Sequence, residues 1–302
     1  MRAVVLHEYG GPEKLKIEDV PDPVAGDGEI LVRVAAASIN PIDFKLRSGA
    51  MQAYWPLQLP AILGRDVSGI VRAVGPRVEG FAPGDRVMAL ANATYAELVA
   101  IQASDVAHVP EGLDLVDAAA LPLVTLTGEQ LISRGVQIQR GQTVLISGAV
   151  GGVGRSAVFT AKSAGAIVIA GVRKRQKSEA AELGADEVIA LDDDDEFAKV
   201  GFLDAVADTV GRETAGKLLG KVKPGGVFGS VLGPPANAKM HPTVRIAPIQ
   251  AKPDSATLQR FAEEAAAGRF HIPIDRMVPL EEAPAAHQAA EKGGLGKILL
   301  IA

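Results

Sequence analysis

The spacing of hydrophobic and polar positions changes near residue 119. Before it, short apolar runs at 3–6, 29–34, 66–74 and 84–89 alternate with turns rich in glycine and proline, which predicts a folded-over all-β segment. After it, short apolar runs alternate with segments of helical periodicity, which predicts a parallel sheet covered on both faces. The predicted strands there are 144–146, 167–170, 187–191, 203–208 and 226–231, and the predicted helices are 118–134, 153–163, 178–183 and 213–221. A helix over 255–267, a strand near 272–278, a helix over 280–292 and a last strand over Lys297–Ile301 complete the pattern.

A glycine-rich turn joins the strand at 144–146 to the helix after it. The turn consists of Ala149, Val150, Gly151, Gly152 and Val153, and Gly154 follows. Without side chains at Gly151 and Gly152, backbone N–H groups can approach a pyrophosphate, and the positive end of the helix favours that anion. Gly154 lets the helix pack closely on the first strand. Strand, turn, helix and strand together predict a dinucleotide-binding unit; an ordinary glycine turn is the alternative.

The residues at the end of the next strand indicate which dinucleotide the unit binds. NAD-binding units usually carry an acidic residue there, which accepts a bond from the ribose 2′-hydroxyl. Here four cations follow the strand instead, Arg173, Lys174, Arg175 and Lys177. A guanidinium can bind a 2′-phosphate in a fork, so the sequence predicts NADPH. The alternative is a basic run on an exposed loop, and the sequence does not select the contacting cation.

The amino-acid composition limits the class of protein to which the chain can belong. The chain has 302 residues, 48% of them hydrophobic, and a net charge of −5, which suits a globular protein of two domains without a nucleic-acid surface. No apolar run is long enough to span a membrane, and the start resembles a strand rather than a signal peptide, so we expect a cytoplasmic protein. The absence of cysteine excludes disulfides, thiolate catalysis and cysteine zinc sites. The five histidines lack metal-ligand spacing, and the acidic run 192–196 is interpreted as a solvated loop.

Several segments together resemble the medium-chain dehydrogenase/reductase superfamily, in its zinc-lacking quinone oxidoreductase branch. They are MRAVVLHEYGGPE at the start, SINPIDFKLRSG at 38–49, PAILGRDVSGIVRAVGPRVEGFAPGDRV at 60–87, AALPLVTLTG at 119–128, AVGGVG at 149–154, LGADEVI at 183–189, DTVG at 208–211 and the GGLGKILL ending. The resemblance implies an α/β protein with a GroES-like β-barrel domain, residues 1–118 and 255–302. A Rossmann NADPH-binding domain with a parallel doubly wound sheet, residues 119–254, would be inserted into it. It also implies a homodimer joined through Rossmann sheet edges.

The resemblance suggests roles for individual residues. Asn40 would lie near the nicotinamide and donate to a substrate carbonyl; equally, it is a natural turn residue before Pro41. Tyr54 would donate a proton or hydrogen bond, clamp a planar substrate, or only pack. Thr127, Leu232 and Gly233 would lie near the nicotinamide.

Departures from zinc-dependent relatives bear on the chemistry. Those relatives carry Cys at the position of Asn40 and a His-Glu pair at the position of Arg65 and Asp66. A guanidinium stays protonated and does not ligate zinc, so a Lewis acid is missing. We expect an ion pair between Arg65 and Asp66, and Asp43 bound to the local backbone or to a cation.

These observations predict an NADPH-dependent reductase of quinones or α,β-unsaturated carbonyls. Hydride arriving at a conjugated carbon places charge on oxygen, which hydrogen bonds can stabilise without a metal. The alternative is a nucleotide-binding protein without significant turnover, as in lens crystallins of this family. A zinc-dependent alcohol dehydrogenase is a second rival.

Overall fold

The computed structural model describes residues 1–294 and 296–302. Its strands are β1 (Arg2–Leu6), β2 (Leu15–Asp19), β3 (Glu29–Ser38), β4 (Ala61–Ile62), β5 (Asp66–Val74), β6 (Arg86–Leu90), β7 (Leu98–Gln102), β8 (Val106–His108), β9 (Thr143–Ser147), β10 (Ile167–Val172), β11 (Glu187–Ala190), β12 (Leu203–Asp208), β13 (Val222–Ser230), β14 (Arg245–Pro248), β15 (Ile274–Pro279) and β16 (Lys297–Ile301). Its α-helices are α1 (Pro41–Arg47), α2 (Pro122–Gln130), α3 (Gly152–Ser163), α4 (Lys177–Ala180), α5 (Asp194–Ala198), α6 (Arg212–Leu219), α7 (Ser255–Ala266) and α8 (Ala283–Glu291). Short 3-10 turns occupy Pro12–Lys14, Ala103–Asp105, Asp117–Ala120, Lys174–Gln176, Ala181–Leu183, Ala238–Met240 and Leu280–Glu282.

The chain divides into two compact units. The β-rich unit consists of Met1–Leu123 and Pro253–Ala302, and the inserted unit is Val124–Lys252. The domain boundaries predicted from the sequence, 118/119 and 254/255, stay a prediction. No helix within the described residues is both long enough and apolar enough to cross a membrane.

Strand β3 has several pairing partners in the β-rich unit. It pairs antiparallel with β5, β7 and β16, so the last strand returns to a strand near the start of the chain. The register sets Leu299 opposite Ser38, and Ile39 N donates to Ile298 O at 3.0 Å. This pairing brings the beginning of β16 beside the residues that follow β3.

The inserted unit contains a parallel sheet with strand order β11-β10-β9-β12-β13-β14. Strands alternate with helices along the chain, and the order reverses direction between β9 and β12. Ligands of such sheets bind outside the carboxyl ends of the strands, at this reversal point. The α/β fold class predicted from the sequence is confirmed.

Both faces of this sheet are covered. In β9, Val144 and Ile146 join the core cluster that contains Ala157 of α3, whereas Leu145 joins the cluster that contains Leu218 of α6. Successive strand residues point to opposite faces, so an uninterrupted apolar run is what a strand buried on both sides requires.

Two predicted elements differ in detail. The predicted helix over 118–134 is divided, because Pro122 opens α2 after a 3-10 turn and a π-helical segment, Leu131–Val136, ends it. The acidic run 192–196 is not only a loop, because α5 begins at Asp194. Its N-cap Asp193 accepts a bond from Glu196 N, and acidic side chains favour the positive end of a helix.

Candidate functional site

Asn40 occupies the junction between β3 and α1. It precedes Pro41, the first residue of α1, and its backbone N donates to Asp43 Oδ2 at 2.8 Å. Proline suits this position because its missing N–H has no partner in a first turn and its φ is already helical. The predicted contact of Asp43 with the local backbone is therefore confirmed.

Four polar side chains near the end of β3 form a group that we call the Asp66 cluster. Its members are the buried Ser38, Asn40 and Asp66 and the largely buried Lys297. Asn40 Nδ2 donates to Asp66 Oδ2 at 2.8 Å, and Asn40 Oδ1 accepts from Lys297 Nζ. Lys297 Nζ also donates to Ser38 Oγ at 2.8 Å and lies 3.2 Å from Asp66 Oδ2. Asp66 is fully buried, and its Oδ1 accepts from Leu123 N at 2.7 Å. Both ends of the Asn40 amide are thus engaged within the chain, and its contact with a nicotinamide stays a prediction.

The expected ion pair between Arg65 and Asp66 is wrong. Asp66 pairs with Lys297, and the Arg65 guanidinium lies over the Trp55 ring, with Cζ 5.0 Å from the ring centroid. Neighbouring residues of an extended chain point to opposite sides, so Arg65 and Asp66 diverge where β5 begins. Lys297 was not singled out from the sequence. The signal was present in the lysine that opens the predicted last strand, but its partner became visible only with the register of β16 on β3.

Asp43 is a fully buried carboxyl group beside this cluster. Its Oδ2 accepts from Tyr95 OH at 2.8 Å, whereas its Oδ1 has no hydrogen-bond partner among the described residues. Burial raises the pKa of Asp43 to about 7, although the bonds from Tyr95 and the Asn40 backbone act against that rise. Burial also raises the pKa of Tyr95 well above its ordinary value. Asp43 therefore holds a proton far more readily than a surface aspartate.

A second polar network joins α1 to α8. Arg47 Nη1 lies 3.2 Å from His287 Nδ1, Arg47 Nε donates to Gly10 O at 3.1 Å, and Arg47 also pairs with Glu291. Burial, together with the charge of Arg47, lowers the pKa of His287 to about 3. His287 is thus neutral and structural. Within the described residues, His, Asp and Glu side chains form no group of three that could hold a metal ion.

Tyr54 and Trp55 lie in the loop between α1 and β4. Tyr54 is 86% exposed, whereas Trp55 is partly buried and packs against the core cluster that contains Leu46 and Leu63. Among the described residues, no contact of the Tyr54 side chain selects among the roles predicted for it.

The glycine-rich turn of the inserted unit lies at the reversal point of the parallel sheet. It follows β9, and α3 begins at Gly152 with Gly151 as its N-cap. A Cβ on Gly154 would lie 2.1 Å from Gly148 O, so only glycine permits this approach of helix and strand. The first N–H groups of a helix have no partner within it. Within the turn itself, Gly151 N donates to Gly148 O at 3.0 Å and Ala149 N donates to Gly171 O at 3.3 Å. Binding of a pyrophosphate by Ala149, Val150, Gly151, Gly152 and Val153 stays a prediction.

Asp208 organises the carboxyl ends of the central strands. Its Oδ1 accepts from Ser147 Oγ and its Oδ2 from Ser230 Oγ, each at 2.8 Å, which links β9, β12 and β13. Leu232 and Gly233 follow β13, with Leu232 48% exposed and Gly233 at a φ of 90°. Thr127 lies in α2 of the same unit. Asp208 was not singled out from the sequence, although the DTVG segment contains it.

The basic run after β10 divides into paired and unpaired cations. Lys174 Nζ lies 2.7 Å from Asp193 Oδ2, and Lys177 Nζ lies 2.7 Å from Glu196 Oε2. Arg173 and Arg175 are exposed and form no ion pair among the described residues. The acidic run thus neutralises two of the four cations and leaves two guanidinium groups available.

Comparisons with known proteins agree with this architecture. The alcohol dehydrogenase GroES-like domain matches residues 26–111, and a zinc-binding dehydrogenase domain matches residues 183–300. The quinone oxidoreductase of Homo sapiens is 30% identical over 325 aligned residues, covering 100% of this chain and 98% of that protein. The solved structure of the quinone oxidoreductase from Coxiella burnetii has a TM-score of 0.89 at 30% identity, covering 100% of this chain and 99% of that one. The Escherichia coli quinone oxidoreductase complexed with NADPH has a TM-score of 0.88 at 27% identity, with full coverage of both chains.

Proposed function

Because the chain belongs to the quinone oxidoreductase branch of the medium-chain dehydrogenase/reductase superfamily, an oxidoreductase family, we propose that it reduces quinones or α,β-unsaturated carbonyls with NADPH and without a metal. The observation that carries this proposal is the Asp66 cluster. Lys297 sets an ammonium group among Ser38, Asn40 and Asp66, the region where zinc-dependent relatives have metal ligands. A fixed ammonium, a protonated guanidinium and an engaged amide do not fit a zinc ion.

The inserted unit fits a nicotinamide dinucleotide. The turn at Ala149–Val153 and the start of α3 would hold the pyrophosphate, since the first N–H groups of α3 have no partner within the helix. Thr127, Leu232 and Gly233, with Asn40, would contact the nicotinamide side. When bound, the reduced nicotinamide supplies a hydride.

The choice of NADPH rests on the cations after β10. Arg173 and Arg175 are exposed, and the residues directly after β10 in the sequence include no acidic side chain. Lys174 and Lys177, also predicted as ligands, are held by Asp193 and Glu196. We propose that Arg173 makes the principal contact, because its charge is not paired with the acidic run as those of Lys174 and Lys177 are.

The acceptor must contribute much of its own reactivity. The donors of the Asp66 cluster are engaged within the chain, whereas the nearby Arg65 guanidinium is a charge that can stabilise an oxygen gaining negative charge in the transition state. Water or Tyr54 would supply the proton. As in the family, we propose a homodimer joined through an edge strand of the parallel sheet, which is β11 or β14.

Loss of cofactor absorbance in mixtures of protein, NADPH and a panel of quinones and enones tests the function. We expect turnover with several acceptors and a faster rate with NADPH than with NADH. Tight NADPH binding without turnover across the panel would instead favour the nucleotide-binding protein.

A further inference from the structure

Arg65 carries an unsatisfied guanidinium group. Its Nε is buried and has no hydrogen-bond partner, and the described residues give its side chain neither a hydrogen bond nor an ion pair. A guanidinium has five N–H donors and stays charged in proteins. Buried polar groups are almost always hydrogen-bonded, so an orphaned donor of this kind calls for an acceptor.

Trp55 holds this guanidinium in place. The Arg65 Cζ lies 5.0 Å from the centroid of the Trp55 ring, and Trp55 itself packs against the core of the β-rich unit. Stacking on an aromatic face stabilises a cation and fixes the plane of its fork. The N–H edge of Arg65 is therefore oriented before any ligand arrives.

The neighbouring carboxylates do not satisfy Arg65. Asp66 already accepts from Leu123 N, Asn40 Nδ2 and Lys297 Nζ. Asp43 accepts through Oδ2 from Tyr95 and from the Asn40 backbone. Both charges act on Arg65 and oppose the lowering of its pKa by burial, yet neither forms an ion pair with it. The guanidinium thus stays cationic, and its donors have no acceptor among the described residues.

We propose that Arg65, stacked on Trp55, is an oxyanion-binding residue for the acceptor, receiving the carbonyl oxygen of a planar conjugated compound. This inference rests on the proposed function. Hydride addition to the conjugated carbon opens the carbonyl π bond and leaves its electron pair on oxygen, while NADPH is oxidised to NADP⁺. Arg65 donates hydrogen bonds to that oxygen and keeps its own protons, and water supplies the proton that completes the reduced product.

The chain offers a direct probe of this subsite because Trp55 is its single tryptophan. Benzoate, a planar carboxylate that the enzyme does not reduce, serves as the stable mimic of the charged oxygen. We expect benzoate to change the fluorescence of Trp55 saturably and Arg65→Gln to weaken its binding by about tenfold or more, the loss of one charge-assisted hydrogen bond. Arg65→Lys should retain part of the affinity. Arg72→Gln, at an exposed arginine of β5, is the matched control and should bind as the unaltered protein does.

Kinetics separate this inference from the proposed function. With NADPH and a quinone, Arg65→Gln should lower kcat/KM for the quinone and leave the KM for NADPH unchanged, and Arg65→Lys should restore part of the rate. If the unaltered protein turns over no acceptor but binds benzoate through Arg65, the proposed function fails and the subsite stands. If quinone reduction is observed and Arg65→Gln matches the unaltered protein in both assays, the subsite is wrong.

Discussion

Lys297 and Asp66 form an ion pair at the heart of the β-rich unit, with Nζ and Oδ2 3.2 Å apart and the carboxylate fully buried. The pair connects β16 to the start of β5, strands that are distant along the chain. Because Lys297 also donates to Ser38 and Asn40, one ammonium group satisfies acceptors from two neighbouring strands and the turn after β3.

Removing this cation should destabilise the protein strongly. Lys297→Met leaves the Asp66 carboxylate buried without its counter-ion, which lowers the free energy of unfolding by about 3 kcal/mol or more. Denaturant unfolding measures the change. In the double variant Lys297→Met with Asp66→Asn the uncompensated charge is gone, so part of the stability should return. A double variant less stable than the single one would show that the charge pair is not the cause.

Asp43 should make stability fall as pH rises. Its pKa is about 7 in the folded protein and 3.8 in its ordinary state, so the folded state keeps a proton that the unfolded state has lost. Between pH values of about 4 and 7, this group lowers the free energy of unfolding by up to about 1.4 kcal/mol per pH unit. Asp43→Asn should remove that slope in pH-dependent denaturant unfolding. Asp19→Asn, at an exposed aspartate, should leave it unchanged.

His287 should act in the opposite direction. Its pKa is about 3 when folded and 6.5 in its ordinary state, so the unfolded state gains a proton first as pH falls. Stability is then lost progressively between pH values of about 6.5 and 3. An asparagine can accept from Arg47 without titrating, so His287→Asn should reduce the loss of stability at acid pH. The pH dependence that remains should be the one due to Asp43. If the loss of stability at acid pH is the same in His287→Asn as in the unaltered protein, other groups cause it.

Arg173 should matter more than Lys174 for cofactor preference. Arg173 has no ion pair among the described residues, whereas Lys174 is paired with Asp193. Arg173→Ala should weaken NADPH binding by about 10- to 100-fold, the loss of a charge-assisted hydrogen bond, and leave NADH binding nearly unchanged. Lys174→Ala should have a smaller effect. Binding titrations with both nucleotides provide the measurement, and equal losses in the two variants would contradict the assignment.

Gly154→Ala should disrupt the glycine-rich turn. The added Cβ would lie 2.1 Å from Gly148 O, so α3 must move away from the end of β9. We expect a loss of about 1–3 kcal/mol in stability and weaker NADPH binding, measured by thermal unfolding and titration. Gly201→Ala is the matched control, because a Cβ there meets no atom within 4 Å. Unchanged NADPH affinity in Gly154→Ala would show that the turn does not take part in cofactor binding.

The sequence predicted the parts of the structure that depend on local patterns. The apolar run of β9, the glycine turn and α3 lie within about twenty residues, so spacing alone was enough to place them. Helix α1 was missed because its seven residues are too few to show periodicity, although Asn40 before Pro41 is a helix-start signal.

The polar contacts of the β-rich unit depend on strand register instead. Lys297 meets Asn40 and Asp66 only because β16 pairs with β3, and no pattern near residue 297 contains that information. The same limitation explains why the ion pair expected between Arg65 and Asp66 was wrong. Adjacent residues of an extended strand point to opposite sides, so adjacency in sequence does not bring their side chains together. Likewise, the pairing of Lys174 and Lys177 with the acidic run follows from the parallel neighbours β10 and β11.

The pairing of β16 with β3 also sets an order of events during biosynthesis. Residues 124–252 leave the ribosome as one continuous stretch and hold every strand of their sheet. Strand β3 is made before β16 and cannot form this pairing until β16 follows. Asp66 is likewise translated more than two hundred residues before Lys297. A nascent chain carries this carboxylate without its cation until β16 has been made, and truncation before β16 would leave it so.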